Sequence, residues 1–168
     1  RCEIFGLGLN GYKYKKKLTL NCGNSGTLGR LILGLLIHSK TEIKLIGDAS
    51  LSKRDFKRVI DPLKKFGAKF KTSSGKLPIT VKGTNNPKSI IYKENKGSAQ
   101  CKSSVILAGL KTVGKTFIKA KKSRNHTELL CEYLNLPIKV KKKKKFDLIK
   151  VEKIKKIKPL NYNIPSDI

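Results

Sequence analysis

The chain has 168 residues, enough for one domain with a real core, and no apolar run approaches the ~20 residues of a membrane span. Its net charge of +28 invites a nucleic-acid reading, yet only five of the 39 cationic side chains are Arg, leaving 34 Lys scattered over every segment. Readers of nucleic acid lean on Arg forks and aromatic platforms, so this charge reads as drift towards Lys and argues against specific nucleic-acid recognition as the main task.

The chain holds no Met and opens on Arg1 in what reads as mid-strand, so it is expected to be an excerpt of a longer protein. No secretory leader pattern is present, and the four Cys, at 2, 22, 101 and 131, lack paired spacing, so reduced thiols are expected. Residues 2–5 read as a strand. The following GLGLNG (6–11) satisfies the dinucleotide fingerprint, which requires a helix immediately afterwards. Residues 12–20 alternate like a strand instead, so the stretch is read as a glycine-rich hairpin.

The organising stretch is NCGNSGTLGR (21–30), which runs into the apolar residues 31–37. A strand at 18–20 breaks at Gly23, small residues form a turn, and a buried helix over 31–38 follows. Unpaired N–H groups and the positive dipole end converge at such a helix start, which is either a simple cap or an anion site. A strand over 42–46 then leads through GDASLSKR (47–54) to a second helix start, with Asp55 as its cap and Arg54 either an anion fork or a surface residue. The helix over 56–66 carries Phe56, Ile60, Leu63 and Phe66 on one stripe, Pro62 implies a kink or break, and Gly67 ends it. Strands over 68–71, 78–82 and 89–92 come next, with turns at 73–75 and 84–87.

The pattern then repeats from Gly97. GSAQCKSSVILAGL (97–110) pairs Leu31 with Val105, Ile32 with Ile106 and Leu36 with Leu110; further on Arg54 pairs with Arg124, and Val59 and Ile60 with Leu129 and Leu130. Each copy reads helix, strand, helix, strand, strand, strand, an α+β pattern. GLKTVGKT (109–116) satisfies the phosphate-loop pattern but leaves a helix and enters a strand over 115–120, the reverse of what such a loop needs. His126 and Glu128 open the next helix, where packing or capping roles outweigh catalytic ones. Strands over 138–143, 146–151 and 154–158 follow, residues 141–145 form a hairpin tip, and 159–165 read as a departing linker.

Five stretches in order, NCGNSGT (21–27), GDASLSKR (47–54), LPITVKG (77–83), GSAQCKS (97–103) and SRNHTE (123–128), resemble the motifs of the enolpyruvylshikimate-phosphate synthase family. The sister transferase family acting on UDP-N-acetylglucosamine shares the fold but matches 47–54 and 97–103 less well; it and a basic RNA-binding module are the alternatives. The resemblance implies a fold of two domains, each with three βαβαββ units around inward-pointing helices, an inside-out α/β barrel with the active site in the cleft between domains. Residues 1–22 would be the tail of one unit, 23–96 a second, 97–160 a third, and 161–168 the crossover to the other domain. A missing unit would leave apolar surface uncovered on 31–37 and 105–110.

The implied reaction transfers the enolpyruvyl group of phosphoenolpyruvate to the 5-hydroxyl of shikimate 3-phosphate. By resemblance Asn24, Gly26, Arg54 and Gln100 face phosphoenolpyruvate, and Ser98, Ala99, Gln100, Ser123 and Arg124 face shikimate 3-phosphate. Gly26 is where the family's inhibitor glyphosate would be crowded by a methyl group. Departures are Asp55 where the family usually has Pro, Asn125 where Asp is frequent, and Ser166 where Gly is common. The acid and base groups are expected outside these residues. No cofactor or metal is implied, nor a membrane or specific nucleic-acid partner; the complete enzyme would be a cytoplasmic monomer.

Overall fold

The computed structural model of the chain describes residues 3–6, 8, 16–161 and 163. The described elements fall into two sets of four strands each, which differ in that the first carries one additional short helix. The first comprises β1 (Leu18–Asn21), α1 (Gly26–Leu36), β2 (Ile43–Ile46), α2 (Ala49–Ser52), α3 (Lys57–Lys65), β3 (Lys69–Thr72) and β4 (Ile79–Lys82). The second comprises β5 (Ile91–Glu94), α4 (Ala99–Gly109), β6 (Lys115–Lys121), α5 (His126–Tyr133), β7 (Ile138–Lys142) and β8 (Phe146–Glu152).

Each set closes its own four-stranded sheet, in the orders β1-β2-β4-β3 and β5-β6-β8-β7. The β1–β2 and β5–β6 pairs are parallel and the others antiparallel. Parallel neighbours need a long crossover, and α1 and α4 supply it. Each set is therefore a βαβαββ unit. The strand before each long helix pairs with the strand after it, so the repeat begins one strand earlier than the helix-first order read from the sequence. Helix starts also correct the alignment: Gly26 matches Ala99, which sets Leu31 against Ser104 rather than Val105.

α1 and α4 form the interior, whereas α5 keeps one side in solvent. Burial along β6 and β8 alternates, as it must when one sheet face meets helices and the other meets water. α1 packs on the first sheet, α4 on the second, and the two helices pack against each other. Their contact is close because Gly34 lies on the Ser104 carbonyl; a methyl group built on Gly34 would land on that oxygen. Leu33, Leu36, Val105, Ile106 and Ala108 are all fully buried around this crossing. One apolar core runs through both units.

Several local expectations change. The 154–158 segment is not a strand, and Glu3, Ile4 and Phe5 carry no regular structure; no described strand lies beside them to complete a ladder. Cys2 and most of the 6–11 glycine stretch lie outside the described residues. α3 runs unbroken through Pro62, because Val59, Ile60 and Leu63 on either side are held in the core while proline removes a single helical bond. Asp48, through a 2.7 Å bond from the Leu51 amide, caps the additional short helix α2. α3 has Phe56 at its cap position, and Asp55 contributes by accepting from the Lys57 amide at 2.7 Å. α4 is enclosed by α1, α3, β6 and β8, so Val105 to Leu110 are not left bare. Exposed apolar side chains include Leu28 of α1, Leu129, Leu130 and Tyr133 of α5, and Ile91, Phe117 and Leu148 of β5, β6 and β8. The pairing of Leu129 and Leu130 with Val59 and Ile60 fails here, since α5 buries Glu128 and Cys131 instead.

Among the described cysteines, Cys22, Cys101 and Cys131 are free and buried. Burial, with help from Glu128 and Glu132, pushes the Cys131 thiol up to about 11, and burial also raises Cys22. No described helix is long and apolar enough to cross a membrane.

Gly34→Ala should destabilise the chain by about 1–3 kcal/mol, the cost of overpacking a close backbone contact, because the Ser104 carbonyl cannot swing away as a side chain would. Urea unfolding of the two proteins measures it; equal midpoints would mean that the helices separate without penalty.

Candidate anion-binding site

The crossing of α1 and α4 brings their N-termini side by side. Ser25 caps α1 by accepting from the Leu28 amide at 3.1 Å, and Ser98 caps α4 by accepting from the Cys101 amide at 3.3 Å. Each cap satisfies one amide and contributes about 1 kcal/mol, leaving other N–H groups of the first turn directed outwards. Neither first turn carries an acidic residue, so the positive helix ends are not neutralised.

Gln100 joins the two entrances. Its Nε2 donates to Thr27 Oγ1 and its Oε1 accepts from Arg30 Nη1, both at 2.8 Å. The Arg30 guanidinium stacks over the Phe56 ring at 5.1 Å from its centroid and donates to the Asp55 carbonyl at 3.4 Å. Arg54 reaches the same place from the end of α2, donating to Asn24 Oδ1 at 3.2 Å. A methyl group built on Gly26 would lie 2.9 Å from Arg30 Nη1 and 3.0 Å from Arg54 Nη1. Two guanidiniums therefore converge on the glycine that opens α1.

The second entrance is built differently. Gly97, at a φ of +72°, makes the turn into α4, and its Cα face lies against the Lys122 carbonyl. The buried Glu94 carboxylate accepts from the Gly97 amide at 2.6 Å, the Lys96 amide at 3.1 Å and Arg58 at 3.2 Å. Ser123 and Arg124 sit in the loop between β6 and α5; the Ser123 hydroxyl is buried without a hydrogen-bond partner among the described residues, whereas Arg124 is exposed. Lys102 and Ser103 of α4 hold this loop, through the Arg124 carbonyl and the Thr127 hydroxyl. Carboxylates near both entrances are engaged: Asp48 and Asp55 accept backbone amides, and Glu94 is ion-paired with Arg58.

The structure thus brings Asn24, Gly26, Arg54 and Gln100 together, and gathers Ser98, Ala99, Ser123 and Arg124 around the start of α4. His126 is exposed in the first turn of α5, and Glu128 is paired with Lys102. The 109–116 stretch is the turn from α4 into β6, in keeping with the rejection of a phosphate loop there. Arg30 was not singled out by the sequence reading. The available signal was its retention as one of five Arg in a Lys-dominated chain, one helical turn after Gly26.

The family model described as EPSP synthase (3-phosphoshikimate 1-carboxyvinyltransferase) matches residues 6–168. The chain belongs to the EPSP synthase family. It is 43% identical over 166 residues to the 3-phosphoshikimate 1-carboxyvinyltransferase of Vesicomyosocius okutanii, an alignment covering 98% of this chain and 37% of the relative. It is 48% identical over 143 residues to that of Ruthia magnifica, covering 84% and 32% respectively. An EPSP synthase structure from Acinetobacter baumannii superposes with a TM-score of 0.72 at 35% identity, over 81% of this chain and 31% of that one. The chain spans about a third of the length of the relatives it matches. EPSP synthase membership sets aside both alternatives weighed from sequence, the UDP-N-acetylglucosamine transferase and the RNA-binding module, as the family of this chain.

Gly26→Ala should leave stability within about 0.5 kcal/mol of the parent, because the atoms it meets are the ends of flexible side chains. It should nevertheless shift the side-chain NMR signals of both Arg30 and Arg54. Unmoved signals would show that the guanidiniums do not crowd this glycine in solution.

Proposed function

We propose that this chain supplies the anion-holding part of an enzyme that transfers the enolpyruvyl group from phosphoenolpyruvate to the 5-hydroxyl of shikimate 3-phosphate, releasing phosphate. The observation that carries the proposal is the pair of abutting helix N-termini joined by Gln100, with the Arg30 and Arg54 guanidiniums converging on the first of them and the Arg124 loop held beside the second. Two anionic substrates must react side by side, and two adjacent anion sites suit that requirement.

In this reading Asn24, Gly26, Arg54 and Gln100 face phosphoenolpyruvate, and Arg30 joins them. The Arg54 guanidinium is a charge-assisted donor for its phosphate or carboxylate, and Arg30 orients Gln100. Ser98, Ala99, Gln100, Ser123 and Arg124 face shikimate 3-phosphate, where the unpartnered Ser123 hydroxyl supplies a donor. Both substrates bring negative charge into a site whose nearby carboxylates are already engaged. Addition to the enolpyruvyl carbon and loss of phosphate also require protonation of the methylene and deprotonation of the hydroxyl. None of the residues assigned here performs those proton transfers; they come from a longer protein, in which these two βαβαββ units form part of one domain and close against another. The complete enzyme is read as a cytoplasmic monomer that uses no cofactor.

In the complete enzyme, Arg124→Ala should weaken chiefly shikimate 3-phosphate binding and Arg54→Ala chiefly phosphoenolpyruvate binding. Each loses a charge-assisted bond of about 1.5–3 kcal/mol, or roughly ten- to hundredfold in affinity. Titration calorimetry with each ligand checks this, and equal losses for both ligands in both variants would overturn the assignment of two anion sites.

The 168-residue chain alone should release no phosphate above background when given both substrates, since closure of an opposing domain is needed to exclude water and supply the proton-transfer groups. A phosphate-release assay on the purified chain decides it; turnover would place the proton-transfer groups within these residues.

A further inference from the structure

Lys102 is fully buried, yet it projects from the second turn of α4 and no apolar role accounts for it. A buried ammonium persists only where charge and hydrogen-bond partners meet it. Here both partners lie on one short segment. Lys102 Nζ donates to the Arg124 carbonyl at 3.1 Å and lies 2.5 Å from Glu128 Oε1. One residue further along α4, Ser103 Oγ is 2.7 Å from Thr127 Oγ1. Consecutive α4 side chains thus grip the segment at residues 124, 127 and 128. Glu128 is buried as well, and its carboxylate takes no hydrogen bond from any other described group.

The duplicated unit provides an internal comparison. Matching the helix starts sets Lys102 against Gly29 of α1. At Gly29 the neighbour is the Phe56 ring, so the first unit seats the segment following Arg54 by an aromatic ring on a glycine. The second unit uses an ammonium for the corresponding contact. A ring fills space without selecting one backbone orientation, whereas an ammonium bonded to a carbonyl fixes the peptide that bears it. Of Arg124, Lys102 engages the main-chain carbonyl, and the residue itself is exposed.

We infer that Lys102 and Glu128 are positioning residues that hold the Arg124 peptide, and with it the Ser123 hydroxyl, in ligand-ready geometry at the α4 entrance. The ligand part of this inference rests on the reading of Arg124 as a shikimate 3-phosphate contact; the loop-ordering part does not.

The test uses the full chain and the double variant Lys102→Met/Glu128→Leu, which replaces the buried pair by apolar groups and leaves no lone buried charge. The expected result is a cooperative melt within a few degrees of the parent, while amide hydrogen exchange across 123–126 accelerates by about tenfold or more. In NMR titrations shikimate 3-phosphate affinity should fall about tenfold, with phosphoenolpyruvate affinity unchanged. Parental exchange rates in the double variant would overturn the inference, as would loss of the cooperative melt, which would make the pair a general stability element. The single variant Lys102→Met, with Glu128 left unpaired, should show the same loop loosening together with a lower melting temperature. If the complete enzyme containing these residues does not bind shikimate 3-phosphate, the proposed function fails, and the exchange measurement still decides whether Lys102 orders the loop.

Discussion

The close approach of α1 to α4 at Gly34 and Ser104 is the constraint on which the remaining geometry depends. Each βαβαββ unit has an apolar helix that its own sheet covers on one side only. Crossing the two helices covers the other sides and makes one core from two units. Glycine at position 34 permits the backbones to approach, since any side chain there would collide with a carbonyl. The same crossing sets the helix N-termini close enough for one glutamine side chain, Gln100, to reach both Thr27 and Arg30. Packing in the core and juxtaposition of the two helix entrances are therefore one geometric fact.

Electrostatics then distinguishes this site from the general positive charge of the molecule. Thirty-four Lys over 168 residues give a diffuse field that salt screens within a Debye length of about 8–10 Å. The converging Arg30 and Arg54 are different: they are forks aimed at one glycine, beside the uncapped amides of a helix start. Nearby carboxylates are turned to backbone amides or to Arg58, so they do not neutralise the centre. A ligand entering here would meet a local, oriented positive environment rather than a share of the net charge.

Duplication gave the two units the same topology without the same local solutions. α3 buries Val59, Ile60 and Leu63, whereas α5 buries Glu128 and Cys131 and leaves Leu129 and Leu130 in solvent. Phe56 on Gly29 and Lys102 against the Arg124 loop illustrate the same divergence at the segments that bear the two arginines. Two substrates of different shape would require such divergence, because identical pockets would not distinguish them.

The sequence by itself determined what local chemistry controls. Small residues before an apolar run announced both helix entrances, alternation announced the strands, and the repeated order announced a duplicated α+β unit. Five short motifs carried the family resemblance, and the rejection of the 109–116 phosphate loop followed from its helix-to-strand direction. Only the tertiary structure decided the phase of the repeat, because whether β1 and β5 close one unit or open the next depends on long-range pairing with β2 and β6. It likewise decided that Arg30 and Lys102 lie at the two helix entrances. Those outcomes rest on neighbours distant in the chain: Gln100 for Arg30, and Glu128 with the Arg124 carbonyl for Lys102. Periodicity reports which face of an element is apolar, but it carries no information about which distant side chain will be waiting there.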